Sequence, residues 1–596
     1  MEETTLSENK TQNPWLSAGV YFPRRLVLAL MTLVAAWLLL LFLRDQLPID
    51  PRLAEAGGEI DWGYSLMARR PVSELVSDRQ VFTLQLLTAA IGVGLFSSML
   101  YAVVALLVHH AGQRIPPLGS VLRGLGRLYV FRNAAAPVFV VALFSILLFS
   151  LTFADHDLPD LPAGGLSSMG SSPDGSVADR IGAEPGSNLD RMVHLTQPMM
   201  TLSLLASVLT AQVVARELTR QREKGGWLVN LLRLPLVALG ALLAQIGGLL
   251  SASILVEMIF AYPGIGRLAF QAAVQMDYPV LMRVALTYLL IAFVVRLLAD
   301  LLQALDRLVA AWQGDEQKEQ AQDWHRTARR VWLAVGVLAL LVPLALGLWG
   351  LGRDKDDAIY MNIDDRLVEP GDEYAWGTDE LGRDVQARVR AAMPLMLQVG
   401  GTVAAIAFFV GGAWGVVAGL IAGWRGWLGE SLADLLLWPA DVLMATPPFV
   451  LLMILVMIMT QDQEGAIRSG MVLALALVLT PRTARATHNL TLGRSPDRHI
   501  ATSLIVGLIA VGLGSLYAAL VFSASLDFVG LGVAPPDPTL GMMLGRGMQM
   551  MLQARYLILI PGIAFIVLLY PLYLSANVLM DVLDLKTKDV LTEFNK

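Results

Sequence analysis

Long apolar runs separated by shorter polar segments extend from one end of the chain to the other. Many of these runs reach the roughly 20 residues that a helix needs to cross the hydrocarbon core of a bilayer. A transmembrane barrel would instead show short segments of alternating hydrophobicity. The pattern therefore predicts an all-α, polytopic membrane protein with about twelve transmembrane helices.

The densest run of charge lies near the middle of the chain, at residues 306–330. A mostly apolar block stands on either side of it, each with room for about six membrane-crossing helices. We therefore expect a first half at residues 1–305, a charged cytoplasmic linker at 306–330 and a second half at 331–596. The linker would join two membrane halves that could otherwise be separate chains.

The apolar runs also place the individual helices. In the first half we expect helices near residues 26–43, 82–108, 136–153, 199–214, 234–258 and 280–305. In the second half we expect them near residues 331–351, 397–422, 435–459, 471–480, 501–522 and 557–582.

The distribution of arginine sets the orientation of these helices. Residues 109–133 carry several arginines and no acid, whereas residues 154–196 are rich in aspartate. Cytoplasmic loops of membrane proteins carry an excess of Lys and Arg. We therefore expect a multi-pass protein of the cytoplasmic (inner) membrane, with both termini in the cytoplasm.

Composition supports a membrane protein and excludes several kinds of site. The chain is 55% hydrophobic and 16% charged, whereas soluble domains have about a quarter charged residues. Its net charge of −6 is spread over loops and gives no indication of nucleic-acid binding. Because cysteine is absent, disulfides, thiolate metal sites and palmitoylation are excluded.

No catalytic constellation is visible in the sequence. No GxxxxGK[ST] loop is present, so we expect no ATP binding through such a loop and no enzymatic activity in this chain. We also expect no cofactor or metal. The glycines of residues 415–423 predict close packing between helices rather than a phosphate cradle.

Ionisable residues inside membrane helices are costly and therefore mark candidate pathways. Asp441, which is close to Pro447 and Pro448, is the clearest candidate for a pathway residue. A paired or capped acid at a helix break is the alternative that the residues leave open. Glu257 and Asp300 lie near predicted helix ends, where we expect the membrane interface to solvate them.

Two turns rich in proline and glycine are expected on the outer face, AYPGIG at residues 261–266 and GVAPPDP at 532–538. Irregular backbone at membrane depth must be buried in protein or line a cavity. These turns could frame the outer mouth of a path, and ordinary loops are the alternative.

Motifs of the first half resemble those of the inner-membrane permease subunits of dipeptide and oligopeptide ABC importers. The motifs are DWGYSLMARRPVSELV at 61–76, LPAGGL at 161–166, HLTQPMMTLSL at 194–204 and ILVEMIFAYPGIGRLAFQAAVQMDYPV at 254–280. The outer-face residues that match are Pro263, Gly264 and Asp277.

The second half is similar to the other permease subunit of such importers. Its motifs are GTDELGRDV at 377–385, DVLMATPPF at 441–449, DFVGLGVAPPDPTLGMML at 527–544 and PGIAFIVLLYPLYLSANVLMDVLD at 561–584. The outer-face residues that match are Gly377, Thr378, Asp379, Gly382, Arg383, Asp384, Gly530, Gly532, Pro535 and Pro536.

This resemblance implies a fold and a set of partners. The fold would be that of type I ABC importer permeases, a pseudo-twofold pair of six-helix bundles around a central path. The partners would be two ABC ATPase subunits on the cytoplasmic side and a solute-binding protein outside. The function would be movement of peptides or similar small solutes across the membrane by alternating access.

The loops that would contact the ATPases depart from the family pattern. The resemblance places a coupling motif of the EAA type between the fourth and fifth helices of each half. The candidate residues here are Glu217, Arg220, Lys224, Gly225 and Gly226 in the first half, and Gly493 and Arg494 in the second. The first loop is shorter than the family's by on the order of 8 residues, or two helical turns.

The shortened loops leave a second hypothesis open. In it, the chain is a transport-inactive permease relative that serves as a scaffold or accessory subunit of a larger membrane complex. A proton- or sodium-driven carrier is disfavoured, because the predicted helices contain few acids and no evident paired set.

Overall fold

The computed structural model describes residues 14–47, 62–65, 67–114, 137–168, 176–221, 227–312, 326–351, 356–424, 427–459, 466–492 and 500–582. Most of these residues belong to helices, which confirms the all-α fold class.

The first half contains nine helices and one small hairpin among its described residues. Its helices are α1 (Pro14–Asp45), α2 (Val72–Arg114), α3 (Val138–Asp155), α4 (Val177–Arg180), α5 (Asn188–Gln221), α6 (Trp227–Leu243), α7 (Ile246–Ile259), α8 (Ile265–Val274) and α9 (Tyr278–Trp312). A π-helical turn at Leu147–Thr152 lies within α3. Strands β1 (Tyr64–Ser65) and β2 (Arg70–Pro71) pair antiparallel just before α2.

The second half repeats this order without the hairpin among its described residues. Its helices are α10 (Arg326–Ala339), α11 (Leu341–Gly350), α12 (Asp356–Ile359), α13 (Val385–Ala422), α14 (Trp427–Ala445), α15 (Pro448–Met459), α16 (Ala466–Leu492), α17 (Ile500–Val529), α18 (Leu540–Gln549) and α19 (Tyr556–Val582). A π-helical turn at Ala407–Gly411 lies within α13.

Eight helices of the described part are long and apolar enough to cross a membrane. The number rises to ten if two bent pairs count as one span each, namely α6 with α7, bent by 63°, and α14 with α15, bent by 88°. The remaining long helices, α5 and α16, occupy the positions of the fourth and tenth predicted helices. The polytopic helical architecture expected from the sequence is therefore confirmed.

Several helices extend well beyond their predicted ends. The helix expected at 471–480 is α16, which begins at Ala466 and continues through Pro481 to Leu492. The predicted end at Thr480 is therefore wrong, and the helix contains a proline, which has no N–H for the helical ladder. Packed membrane helices tolerate proline, since neighbouring groups satisfy the freed carbonyls.

The ends of the predicted linker are also helical. Helix α9 continues to Trp312 and α10 begins at Arg326, so both enter the range 306–330, whose residues 313–325 lie outside the described ones. The side chain of Asp306 accepts hydrogen bonds from Arg233 at the start of the α6–α7 pair, at 3.1 Å for the Nη2–Oδ2 contact. This ion pair fixes Asp306, the first residue of the predicted linker, to the helices of the first half.

Glycines on one face of α13 bring it into close contact with α16. A Cβ atom on Gly415 would lie 2.2 Å from the carbonyl oxygen of Ala484, and one on Gly419 would lie 1.6 Å from Oγ1 of Thr491. Gly411 faces the carbonyl oxygen of Thr480 in the same way. The spacing of four residues places these glycines along one helix face, and the predicted close packing is confirmed at Gly415 and Gly419.

Candidate functional site

Two of the contacts between the halves are reciprocal, and a third joins α1 of the first half to α14 of the second. Helix α3 of the first half packs against α19 and the end of α17, while α15 of the second half packs against α7, α8 and α9. In the order of predicted helices, the third helix of each half therefore meets the fifth and sixth of the other. An exchange of equivalent elements is the arrangement expected across a twofold axis.

Aromatic rings fill one of these two contacts. The ring of Phe139 on α3 lies 5.2 Å from that of Phe528 and 5.9 Å from that of Phe565, measured between ring centroids. At the C-terminal end of α3, Asp155 forms a bidentate ion pair with Arg555, just before α19. The first half is thus fixed to the second by an apolar contact and by an exposed ion pair.

A backbone hydrogen bond joins the halves at the other contact. Pro447 and Pro448 have no N–H groups, so Phe449 is the first residue at the start of α15 that can donate one. Its N–H donates to Oγ of Ser251, on α7 of the first half, at 3.3 Å. Ser251 therefore serves α15 as an N-cap supplied by the opposite half.

Asp441, the predicted pathway residue, is paired with a cation. Its carboxylate receives hydrogen bonds from Nε of Arg485, at 2.9 Å, and from Nη2 of the same guanidinium. Of the two alternatives that the sequence left open, the described geometry is that of a paired acid near a helix break. A role for Asp441, Pro447 and Pro448 in lining a path stays a prediction.

Glu257 holds the AYPGIG turn in place. Its side chain is 0% exposed, so the expectation that the membrane interface solvates it is wrong. The carboxylate accepts hydrogen bonds from Oγ1 of Thr83 at 2.7 Å, from N–H of Gly266 at 2.7 Å and from N–H of Arg267 at 3.0 Å. Asp300 is also buried, at 9% exposure.

These contacts satisfy the start of the short helix α8. Thr83 also accepts the N–H of Ile265 at 2.8 Å, so side chains from α2 and α7 cap the first three amides of the helix. Gly264 must be glycine at this point, because a Cβ atom there would lie 2.3 Å from the Glu257 carboxylate. Pro263 lies between Tyr262 and this glycine in the turn.

Other motifs of the first half are held by similar contacts. Oγ of Ser65 donates to Asp277 at 2.5 Å, which fixes the β1–β2 hairpin to the start of α9. Gln197 of α5 donates to the carbonyl oxygens of Leu161 and Pro162, both at 3.2 Å, and so holds the LPAGGL segment. The N–H of Gly165 in that segment donates to the carbonyl oxygen of Phe260 at 2.8 Å.

The GTDELGRDV motif of the second half folds around its own aspartates. Asp379 accepts N–H of Leu381 at 2.9 Å, N–H of Arg383 at 3.0 Å and Nε of Arg383 at 2.7 Å. Asp384 caps α13 by accepting the N–H of Gln386 at 2.8 Å. These carboxylates are therefore occupied inside the motif.

The same motif is seated against α18 and α19. Oη of Tyr556 lies 2.8 Å from the carbonyl oxygen of Thr378, and Arg546 donates to Glu380 at 2.7 Å. Gly377 and Gly382 have φ angles of 73° and 71°, in the left-handed region that glycine favours.

A neighbouring hydrogen bond braces this outer segment. Oη of Tyr374 donates to Asp365 at 2.6 Å. This bond to a carboxylate, with a smaller contribution from burial, raises the pKa of Tyr374 to about 12. The phenol therefore stays a donor at neutral pH.

Asp527 occupies the place in the second half that Glu257 has in the first. It lies near the end of α17, is 3% exposed and accepts the N–H of Val533 at 2.8 Å. Gly532 is close against it, since a Cβ atom there would lie 1.8 Å from Oδ1. Gly530, with φ of 85°, begins the turn, and Pro535 and Pro536 lie between Val533 and the α18 N-cap Thr539.

The predicted outer-face residues thus lie in three turn assemblies, built around the buried acids Glu257, Asp379 and Asp527, and at the contact of Asp277 with Ser65. No sequence motif indicated Thr83, which binds Glu257; Gln197, which holds the LPAGGL segment; or Ser251, which binds the start of α15. The one available signal was a polar residue within a long apolar run.

The candidate coupling residues are placed only in part. Lys224, Gly225, Gly226, Gly493 and Arg494 lie outside the described residues, while Glu217 and Arg220 lie near the C-terminal end of α5. Their contact with ATPase subunits stays a prediction.

Comparison with known proteins gives one family and several relatives. Residues 233–307, from α6 to α9, match the profile of the family described as binding-protein-dependent transport system inner membrane component. A putative peptide transport system permease protein of Brucella suis is 30% identical over 285 residues, which cover 44% of this chain and 90% of the relative.

Two further relatives carry related descriptions. The glutathione transport system permease protein of Pectobacterium atrosepticum is 28% identical over 286 residues, 44% of this chain and 90% of its own length. The dipeptide transport system permease protein of Alkalihalophilus pseudofirmus is 28% identical over 248 residues, 38% of this chain and 77% of its own. Each relative therefore corresponds to less than half of this chain.

Proposed function

This chain belongs to the family of binding-protein-dependent transport system inner membrane components, and we propose that it is the fused permease of an ABC importer. The membrane location of the family agrees with the apolar helices described above. We further propose that the solutes are peptides or similar small molecules, because the relatives are described as peptide, dipeptide and glutathione permeases.

The reciprocal contact of the halves is the observation that carries this proposal. The path would run between the two halves, at the contact of α3 with α17 and α19 and at the contact of α15 with α7 and α9. Alternating access would open and close these two contacts in turn. Opening at the outer end would break the Asp155–Arg555 pair, and movement of α15 away from α7 would break the Ser251–Phe449 hydrogen bond.

The outer-face motifs would support a solute-binding protein without themselves forming its docking surface. Their buried polar groups point inward: Glu257 caps α8, Asp379 binds its own turn and Asp527 binds the turn before α18. We propose that they keep the outer ends of the helices in fixed positions. The exposed residues around them would then make the contact with the partner.

The energy for transport would come from partner subunits. We propose that ABC ATPases contact the cytoplasmic loops at residues 216–235 and 486–500, with both termini of the chain on the same side. The shortened form of these loops is the observation that favours the alternative, a transport-inactive scaffold.

Purification of the native complex separates the two functions. The chain is extracted in a gentle detergent through an affinity tag, and every co-eluting protein is identified by mass spectrometry. We expect two ATPase copies, or one copy each of two related ATPases, and ATP hydrolysis by the complex. Recovery of other membrane proteins at fixed stoichiometry with no ATPase would contradict the proposal and support a scaffold.

A further inference from the structure

Two membrane spans of the described part are broken near their middle, and both take part in the contact between the halves. Helix α6 ends at Leu243 and α7 begins at Ile246, with a bend of 63° between them. Helix α14 ends at Ala445 and α15 begins at Pro448, with a bend of 88°. Irregular backbone at membrane depth must be buried in protein or line a cavity. Binding sites in many secondary transporters are formed at such breaks.

Each break holds a buried side-chain oxygen that has no hydrogen-bond partner among the described residues. Gln245 is 5% exposed and its Oε1 atom is unpaired, and Thr446 is 0% exposed with an unpaired Oγ1 atom. An unpaired polar atom in the interior destabilises a fold, and most buried polar groups therefore have a partner. Both oxygens are available to accept a hydrogen bond from a group outside the described chain.

The second break also lacks backbone donors. Pro447 and Pro448 have no N–H groups, so they cannot donate to the carbonyl oxygens four residues earlier, on Leu443 and Met444. These carbonyls belong to the last turn of α14, at the negative end of the helix dipole. The break is therefore rich in acceptors and favours an electropositive group.

A hydrogen bond between the halves brings the two breaks close together. The N–H of Phe449 donates to Oγ of Ser251 at 3.3 Å. Thr446 lies three residues before Phe449, and Gln245 lies six residues before Ser251. The rise of the chain places each of them within about 10 Å of this hydrogen bond. Both unpaired oxygens thus lie near the contact of α15 with α7, where the path is proposed to run.

The corresponding position of the second half is different. Helix α17 is one unbroken helix. Its Ser515 lies twelve residues before Asp527, as Gln245 lies twelve residues before Glu257. The hydroxyl of Ser515 donates to a carbonyl oxygen of its own helix at 2.9 Å and lies 3.2 Å from Oγ1 of Thr483. The unpaired acceptor is therefore a property of the broken helix, and its paired counterpart provides a control.

We infer that Gln245 and Thr446 bind the transported solute between the halves, by accepting hydrogen bonds from its ammonium group. This inference rests on the proposed function. The ammonium end of a peptide supplies N–H donors and has no acceptor of its own. Its charge is also favoured by the carbonyl oxygens at the end of α14. Anionic groups of the solute are disfavoured at the same point.

The first test asks whether the Thr446 hydroxyl has a structural partner. Thr446→Val removes it at nearly constant shape. Thr483→Val is the matched control, because the Thr483 hydroxyl is bonded to the carbonyl oxygen of Leu479 at 3.1 Å. The thermal unfolding midpoint of the purified complex is measured for both. We expect a midpoint at or above that of the native chain for Thr446→Val and a lower one for Thr483→Val. An equal decrease in both would refute the inference.

The second test uses the absence of cysteine from the chain. Gln245→Cys, Ser515→Cys and the exposed Val274→Cys are made separately. Each complex, with its co-purified ATPases hydrolysing ATP, is placed in nanodiscs. It is treated with a cationic methanethiosulfonate, the aminoethyl reagent, or an anionic one, the sulfonatoethyl reagent. Modification of this chain is followed by mass spectrometry, with and without the dipeptide Ala-Ala or its N-acetyl form.

The expected pattern is specific to an acceptor site on the path. Gln245→Cys should be modified and Ser515→Cys should not. The ratio of cationic to anionic rates at Gln245→Cys should exceed that at Val274→Cys about fivefold, as expected near the negative end of a helix dipole. Ala-Ala should protect Gln245→Cys from modification, and N-acetyl-Ala-Ala, which has no ammonium group, should protect it less.

Different results overturn different claims. No cationic preference at Gln245→Cys, no protection by Ala-Ala, or equal modification of Ser515→Cys each refutes the solute site and leaves the proposed function standing. Protection by sodium ions without peptide assigns the oxygens to a bound cation and also refutes it. Absence of any ATPase from the complex refutes the proposed function, and this inference with it. If Gln245→Cys does not assemble, the same measurement on Thr446→Cys decides.

Discussion

Replacing Glu257 by alanine is expected to destabilise the protein strongly. The change leaves the Thr83 hydroxyl and the N–H groups of Gly266 and Arg267 without their acceptor. Each buried donor left unpaired costs about 1–3 kcal/mol. Water can reach Arg267 in part, so the total expected loss is about 3–5 kcal/mol.

The measurement is the thermal unfolding midpoint in detergent, together with the yield of monodisperse protein. Glu257→Gln keeps one oxygen acceptor and should lie between the native chain and Glu257→Ala. Thr83→Val removes one donor and one acceptor at constant shape and should also be intermediate. Asp364→Ala, at an exposed position of the outer segment, is the control. Equal midpoints for Glu257→Ala and Asp364→Ala would refute the capping role.

Gly382→Ala is expected to have the second large effect, because two separate costs combine there. The φ angle of 71° is unfavourable for any residue with a Cβ atom, at about 1–2 kcal/mol. The added Cβ atom would also lie 1.6 Å from the carbonyl oxygen of Asn362. Backbone must move to relieve this contact, at a further cost of about 1–3 kcal/mol.

Two other glycines separate these costs. Gly530 has a φ angle of 85° but nothing within 4 Å of its Cβ position, so Gly530→Ala should show the backbone cost alone. At Gly371 the φ angle is not in the left-handed region and the nearest atom is 3.8 Å away, so Gly371→Ala should stay within about 0.5 kcal/mol of the native chain. The unfolding midpoint should be highest for Gly371→Ala, lower for Gly530→Ala and lowest for Gly382→Ala. A Gly382→Ala midpoint equal to that of Gly530→Ala would show that the contact with Asn362 is absent.

The hydrophobic pattern predicted the helices well because each must bury its backbone polar groups within itself. Their order along the chain was therefore correct. Ends were less predictable: the tenth helix was expected to end near Thr480, whereas α16 continues to Leu492. Packing against α13 and α14 compensates for the cost of a proline within the helix, and the sequence around Pro481 does not show such packing.

The residues of the site that could be predicted are those whose backbone conformation or close packing requires a particular residue type. Gly264, Gly377, Gly382 and Gly532 stood out as motif residues, and each occupies a turn or a close contact that excludes a side chain. The partners of the buried acids were not found. Thr83 meets Glu257 across 174 positions of sequence, and such a pairing follows from tertiary packing alone.

The ion pair of Asp441 was also not predictable from the sequence. An acid in an apolar run indicated a pathway, but Arg485 is distant in the sequence, and only the packing of α14 against α16 brings the two together. The family resemblance implied a pseudo-twofold pair of six-helix bundles but not which helices of the two halves meet. The particular groups that join them, such as Ser251 with Phe449, became evident only from the structure.

Photo-crosslinking in the native membrane tests the central claim most directly, namely that this fused permease is driven through its two cytoplasmic loops. A crosslinking amino acid is placed at Lys224, at Arg494 or, as an outer-face control, at Val274, and the captured proteins are identified by mass spectrometry. We predict ABC ATPase subunits at both loop positions and none at Val274. Capture of other membrane proteins at Lys224 and Arg494, with no ATPase at either, would contradict the account.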